Sequence, residues 1–203
     1  MRYDISKLTT EEKIGQLMMF GIDGTSITDH AIELIKKYKV GNIILFARNA
    51  ESPKQLYELN QSLQKLALAE LNIPLFISID QEGGMVTRIF HGATFFPGAM
   101  TISATNDVNN SYQVGNLMGK ELQVLGINMN LAPVLDVNNN PKNPVIGVRS
   151  YGDDPDRVAD YGIQFMKGLQ HHVIATGKHF PGHGDTSLDS HLALPKVDYD
   201  KNR

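Results

Sequence analysis

The sequence predicts an α/β fold built on a parallel sheet, and three observations carry that prediction. Short β-branched or apolar runs alternate along the chain with longer stretches of helical spacing. The short runs are apolar on both faces, the pattern of strands covered by helices on each side. Polar residues gather at the carboxyl ends of three successive runs. Alternation implies parallel pairing, because each crossover returns the chain to the same end of the sheet. A doubly wound sheet and a (β/α)8 barrel of the TIM type both satisfy the first two observations. The third fits the barrel, whose active site is assembled from strand ends. No Gly-x-Gly-x-x-Gly follows the first run, which lowers a dinucleotide-binding reading.

The elements follow in order. Thr9-Thr10-Glu11-Glu12 is a capping-box pattern that opens a short helix. The first strand is expected at Leu17–Ile22, followed by a helix over residues 28–39 and a second strand at Val40–Phe46. Ser52-Pro53 supplies an N-cap and a first-turn proline, and Leu56, Leu59, Leu63 and Leu66 then recur every three or four residues. The third strand is expected at Leu75–Asp80, a helix over 107–126 and the fourth strand at Met129–Val137. Asp154-Pro155 repeats the start signal ahead of Val158, Tyr161, Phe165 and Leu169, and the fifth strand is expected at Val173–Lys178. Five units are visible, whereas a complete barrel takes about 250 residues. Residues 196–203 resemble a connection onward. The expected organisation is therefore one domain over 1–203, the N-terminal five-eighths of a barrel. A sheet of five units would leave two open edges, which favours self-association or poor solubility.

Composition narrows the function classes. The chain has 203 residues, 41% apolar and 20% charged, with a net charge of −3 and both signs mixed. That balance favours neither nucleic acid nor an anionic membrane surface as partner. Cysteine is absent, which excludes disulfides and thiolate metal sites. No apolar run approaches the ~20 residues of a membrane span. Met1-Arg2-Tyr3-Asp4 lacks a signal-peptide core, so a cytoplasmic location is expected if Met1 is the native start, and secretion if a leader was removed.

Five of the seven histidines fall between His171 and the C-terminus, while His30 and His91 read as surface or loop positions. The richest stretch is Lys178-His179-Phe180-Pro181-Gly182-His183-Gly184-Asp185-Thr186, continuing to Asp189-Ser190-His191 and Pro195. Glycine and proline make it a loop at a strand end. Three readings compete. A metal site is disfavoured by spacing, since there is no His-Glu-x-x-His and no His-x-His at a strand end. A solvated polar loop is the bland reading. An acid/base site is the third: Asp189 lies two residues from His191, close enough for a carboxylate to accept from the imidazole and support its protonated form. A histidine titrating near neutrality suits a group that acts first as acid, then as base.

This run closely resembles the signature of bacterial glycoside hydrolase family 3 β-N-acetylglucosaminidases. Glu11-Glu12-Lys13-Ile14-Gly15-Gln16, Asp80-Gln81-Glu82-Gly83-Gly84 with Arg88, Leu131–Val137, and Arg149-Ser150-Tyr151-Gly152 resemble further segments of that family in the right order. The resemblance implies a (β/α)8 barrel and a retaining exo-hydrolase. That enzyme removes terminal β-linked N-acetylglucosamine from cell-wall fragments without a cofactor. By position, Asp80, Arg88, Arg149, Lys178 and His179 resemble the residues that hold the sugar. His191 resembles the acid/base and Asp189 its orienting partner, a departure from the usual pair of carboxylates. Asp136 is expected either to brace the sugar cluster from behind or to be a structural strand-end acid. His183 is the runner-up for the acid, set aside as a loop residue because no Asp lies two positions before it. The family's nucleophile is an aspartate on a later strand, so the 203 residues alone are expected to be inactive. A neutral imidazole base would also admit phosphate as an acceptor. Alternatives are a family 3 β-glucosidase, expected to lack the 182–191 loop pattern, a barrel metal hydrolase, and a non-catalytic sugar-binding piece.

Overall fold

The computed structural model describes residues 4–192 and 194–196; the expected onward connection falls almost wholly outside them. Five strands, β1 (Met19–Gly21), β2 (Asn42–Leu45), β3 (Phe76–Ile79), β4 (Met129–Asn130) and β5 (Ile174–Ala175), pair in parallel. Their spatial order is β1-β2-β3-β4-β5. Every strand is therefore laid beside its predecessor on the same side. A doubly wound sheet reverses direction at a switch point; this one does not, and the winding is that of a barrel.

The helices are α1 (Thr10–Leu17), α2 (Asp29–Lys36), α3 (Pro53–Leu71), α4 (Ala99–Ser103), α5 (Asn109–Val124) and α6 (Pro155–Leu169). α1 carries the capping box: Thr9 Oγ1 accepts from Glu12 N, and Glu12 Oε2 accepts from Thr9 N. α3 starts from the Ser52 hydroxyl and buries Leu56, Leu59 and Leu63. Ile43, Leu45, Ile77 and Ile79 are fully buried in the core that these helices share with the sheet. α5 and α6 meet backbone to backbone. A Cβ on Gly115 would lie 2.3 Å from Phe165 O, and one on Gly168 would lie 2.2 Å from Tyr112 O.

Several expectations need correction. The first strand begins at Met19, because α1 continues through Leu17. The fourth and fifth strands are much shorter than expected. Pro133 has no N–H for the ladder, so regular pairing of β4 stops at Asn130 and resumes only at a Val134–Lys178 bridge. α4 was not anticipated, being too short to show a helical period. The strands are also not covered on both faces throughout. The face opposite the helices carries Phe76 and Ile174, each 44% exposed.

Candidate active site at the carboxyl ends of the strands

The parallel register brings the ends of β3, β4 and β5 to one rim. Asp80 follows β3 directly, Asp136 follows the interrupted fourth strand, and Lys178 and His179 follow β5. Lys178 Nζ donates to Asp80 Oδ1 at 2.6 Å and pairs with Glu82 Oε1 at 2.5 Å. Arg149, on a helical turn at Gly147–Arg149, grips Glu82 bidentately: Nε to Oε2 and Nη2 to Oε1, each 2.9 Å. Burial pushes the Glu82 carboxyl up, but the Arg149 hydrogen bonds and the Lys178 charge outweigh it and leave it below its ordinary value. Arg149 shows the converse balance: burial lowers it, and Glu82 more than restores it. The cluster is thus two cations and two carboxylates held out of bulk water, joined by charge-assisted hydrogen bonds.

A second group forms around Asp136, whose side chain is fully buried. Its Oδ2 meets His179 Nδ1 at 2.6 Å, and its Oδ1 accepts from the His183 backbone N–H at 2.7 Å. Burial pushes this carboxyl up as well; the bonds from His179 and His183 bring it below its ordinary value. His179 is half-buried, and no hydrogen bond from its Nε2 is found among the described residues. A cleft of about 300 Å³ opens here, lined by Asp136, Lys178, His179 and Gly182.

The dyad forms locally. His191 Nδ1 and Asp189 Oδ1 lie 2.7 Å apart, and the His191 N–H donates to the same oxygen at 2.8 Å. Those two hydrogen bonds, the backbone one first, hold the Asp189 carboxyl below its ordinary value. The His191 side chain is 78% exposed, and no hydrogen bond joins it to Asp80, Glu82, Arg149 or Lys178. The segment is tied back through His183, whose ring contacts both Thr186 and Ser190. Both ring nitrogens of His183 are engaged there. Arg88 also stands apart: its N–H donates to Gln81 Oε1 at 2.8 Å, while its Nε is buried without a partner among the described residues. No group of acidic or histidine side chains among the described residues is arranged to hold a metal.

Glu82 is the residue that sequence reasoning left without a role. Charge counting could have found it: Arg149 and Lys178 at one rim need more than the single carboxylate of Asp80. Asn140 and Asn143 were also missed. Asn143 Nδ2 donates to His183 O at 2.6 Å, and Asn140 Nδ2 to Asp185 O and Thr186 O at 3.2 Å, pinning the base of the histidine loop.

The glycosyl hydrolase family 3 N-terminal domain matches residues 9–203. The chain belongs to that family. It is 45% identical over 185 residues to beta-hexosaminidase A of Pseudoalteromonas piscicida, covering 88% of this chain and 31% of that protein. A solved family 3 beta-N-acetylglucosaminidase from Paenibacillus sp. str. FPU-7 superposes with a TM-score of 0.94 at 51% identity, covering 96% of this chain and 37% of the other. NagZ from Neisseria gonorrhoeae, solved in complex with N-trifluoroacetyl-D-glucosamine, superposes at 0.79 and 34% identity, covering 88% of this chain and 53% of its own. The family 3 chain thus spans between about a third and about a half of the length of these relatives.

Proposed function

We propose that residues 1–203 are the N-terminal part of a single catalytic barrel, with its remaining units beyond residue 203. The whole is a retaining exo-β-N-acetylglucosaminidase acting on cell-wall fragments or related glycosides. The observation that carries this reading is the 2.7 Å His191–Asp189 contact at the end of the loop that starts in the sugar-binding cluster. Asp80, Arg88, Arg149, Lys178 and His179 hold the terminal sugar. Glu82 fixes the two cations among them, and Asp136 fixes His179.

In the first step, a carboxylate nucleophile from a later strand attacks the anomeric carbon. The glycosidic bond breaks, and the departing oxygen takes the proton from His191 Nε2, the nitrogen that Asp189 leaves free. In the second step, the neutral imidazole takes a proton from water as that water attacks the anomeric carbon and releases the carboxylate. Without the nucleophile the glycosyl ester cannot form, so the 203 residues alone hydrolyse nothing. A β-glucosidase reading is disfavoured by the 182–191 loop.

The test is hydrolysis of 4-nitrophenyl N-acetyl-β-glucosaminide by the full-length protein, with His191→Ala alongside. The variant should lose activity and recover part of it on substrates with better leaving groups. Undiminished activity in His191→Ala would remove the dyad from the mechanism.

A further inference from the structure

His183 is the most heavily bonded residue of the loop, and the chemistry assigned so far does not use it. It is 9% exposed. Its backbone N–H donates to Asp136 Oδ1 at 2.7 Å, and its carbonyl accepts from Asn143 Nδ2 at 2.6 Å and from Thr186 Oγ1 at 3.0 Å. Its ring spans two more partners: Nδ1 to Thr186 Oγ1 at 2.6 Å and Nε2 to Ser190 Oγ at 3.0 Å. Whichever tautomer the ring adopts, both of its nitrogens are occupied, Nδ1 by Thr186 and Nε2 by Ser190. Ser190 stands between Asp189 and His191. Neither ring nitrogen is left to serve a substrate, which removes His183 from consideration as the acid.

We propose that His183 is the positioning residue of the dyad. Asp136 and Asn143 anchor its backbone, and its imidazole carries that anchor to Ser190 and so sets where the Asp189–His191 pair stands relative to the sugar. The bridge matters because the dyad is otherwise exposed and bonded mainly to itself. A proton donor is effective only when held within hydrogen-bond reach of the leaving oxygen. Loosening the bridge leaves the sugar cluster intact and blurs the position of the acid. This inference rests on His191 being the acid.

The experiment uses the full-length enzyme and kcat/KM, which reports the glycosylation step, on phenyl and 2,4-dinitrophenyl N-acetyl-β-glucosaminides. The phenyl leaving group needs the proton; the dinitrophenyl one does not. Ser190→Ala cuts the bridge from its less buried end. It should lose roughly tenfold on the phenyl substrate and less than about twofold on the dinitrophenyl one, a fraction of what a general acid supplies. His183→Leu should show the same selectivity, and the double variant should be no worse than His183→Leu alone, because both remove one contact. His183→Gln, whose amide reaches the position of Nε2, should recover most of the loss. If His183→Leu fails to fold, Ser190→Ala and His183→Gln still give the answer. Equal losses on both substrates, or no loss in Ser190→Ala, would overturn the proposal. His191→Ala on the same pair is read separately: without leaving-group dependence there, the acid assignment falls and this inference with it.

Discussion

Replacing Glu82 by Ala should be among the most damaging single changes in the protein. Glu82 accepts two hydrogen bonds of 2.9 Å from Arg149 and pairs with Lys178 at 2.5 Å, with only 7% of its side chain exposed. Its removal does not fall equally on the two cations. Lys178 keeps Asp80 at 2.6 Å, whereas Arg149 keeps only the Val145 carbonyl, at 3.2 Å. Arg149 then becomes a largely buried charge with no carboxylate in hydrogen-bond contact among the described residues, attracted only at longer range by Asp136 and Asp80; deleting one partner of a buried pair costs about 3–5 kcal/mol. At about 2–4 °C per kcal/mol for a chain of this size, the melting temperature should fall by roughly 6–20 °C. The assay is thermal unfolding followed by circular dichroism, with Glu33→Gln as control. Glu33 pairs with Lys37 at 2.7 Å on the solvent-exposed side of α2, and its loss should leave the melting temperature unchanged. If Glu82→Ala melted within about 2 °C of the parent, less than ~1 kcal/mol would separate them. The inference that Glu82 holds the rim cluster of Asp80, Arg149 and Lys178 together would then be wrong.

Three further outcomes follow from the same geometry. Glu82 and Asp136 both lie below their ordinary values of 4.5 and 3.8. Carboxyls depressed by folding contribute stability that is full above the unfolded pKa and is lost as pH falls through the folded one. Urea midpoints should therefore hold from neutrality down to about pH 5 and decline below it, with a shallower decline in Glu82→Gln. Asp136→Asn places an amide where two donors converge, from His179 and His183. It should cost about 1–3 kcal/mol and weaken N-acetylglucosamine binding by the full-length protein in calorimetry. Gly168→Ala drives a Cβ to 2.2 Å from the Tyr112 carbonyl. Since backbone cannot rotate away, overpacking of at least about 1–3 kcal/mol should appear as a lowered melting temperature.

The helices were the most legible part of the fold. The cap at Ser52-Pro53 and the leucine spacing after it located α3, because cap chemistry and periodicity are both local signals. Strand lengths were read less well. Runs such as Met129–Val137 are apolar enough to be strand throughout, yet pairing depends on a neighbour's donors, and Pro133 interrupts it. At the site, Asp80, Lys178 and His179 were visible because they end strands. Asp136 was expected either to brace that cluster or to be a structural acid; its hold on His183 was not visible, since His183 reaches it across more than forty residues of chain. Nor was the part played by Glu82, Asn140 and Asn143. Their importance lies in which backbone and side-chain groups the fold turns toward them, and no local pattern records that.

The order of the strands bears on how the chain reaches its native state. Each pairing joins neighbours in sequence, β1 with β2 through to β4 with β5, and no later strand is inserted between two earlier ones. The chain can thus assemble vectorially during synthesis, each new unit docking on a template already formed. The loop closed at each step is short relative to the whole, which keeps the entropy of ordering low at every stage. Lys178, His179 and His183 reach Asp80, Glu82 and Asp136 only as β5 docks, so the scaffold precedes the site.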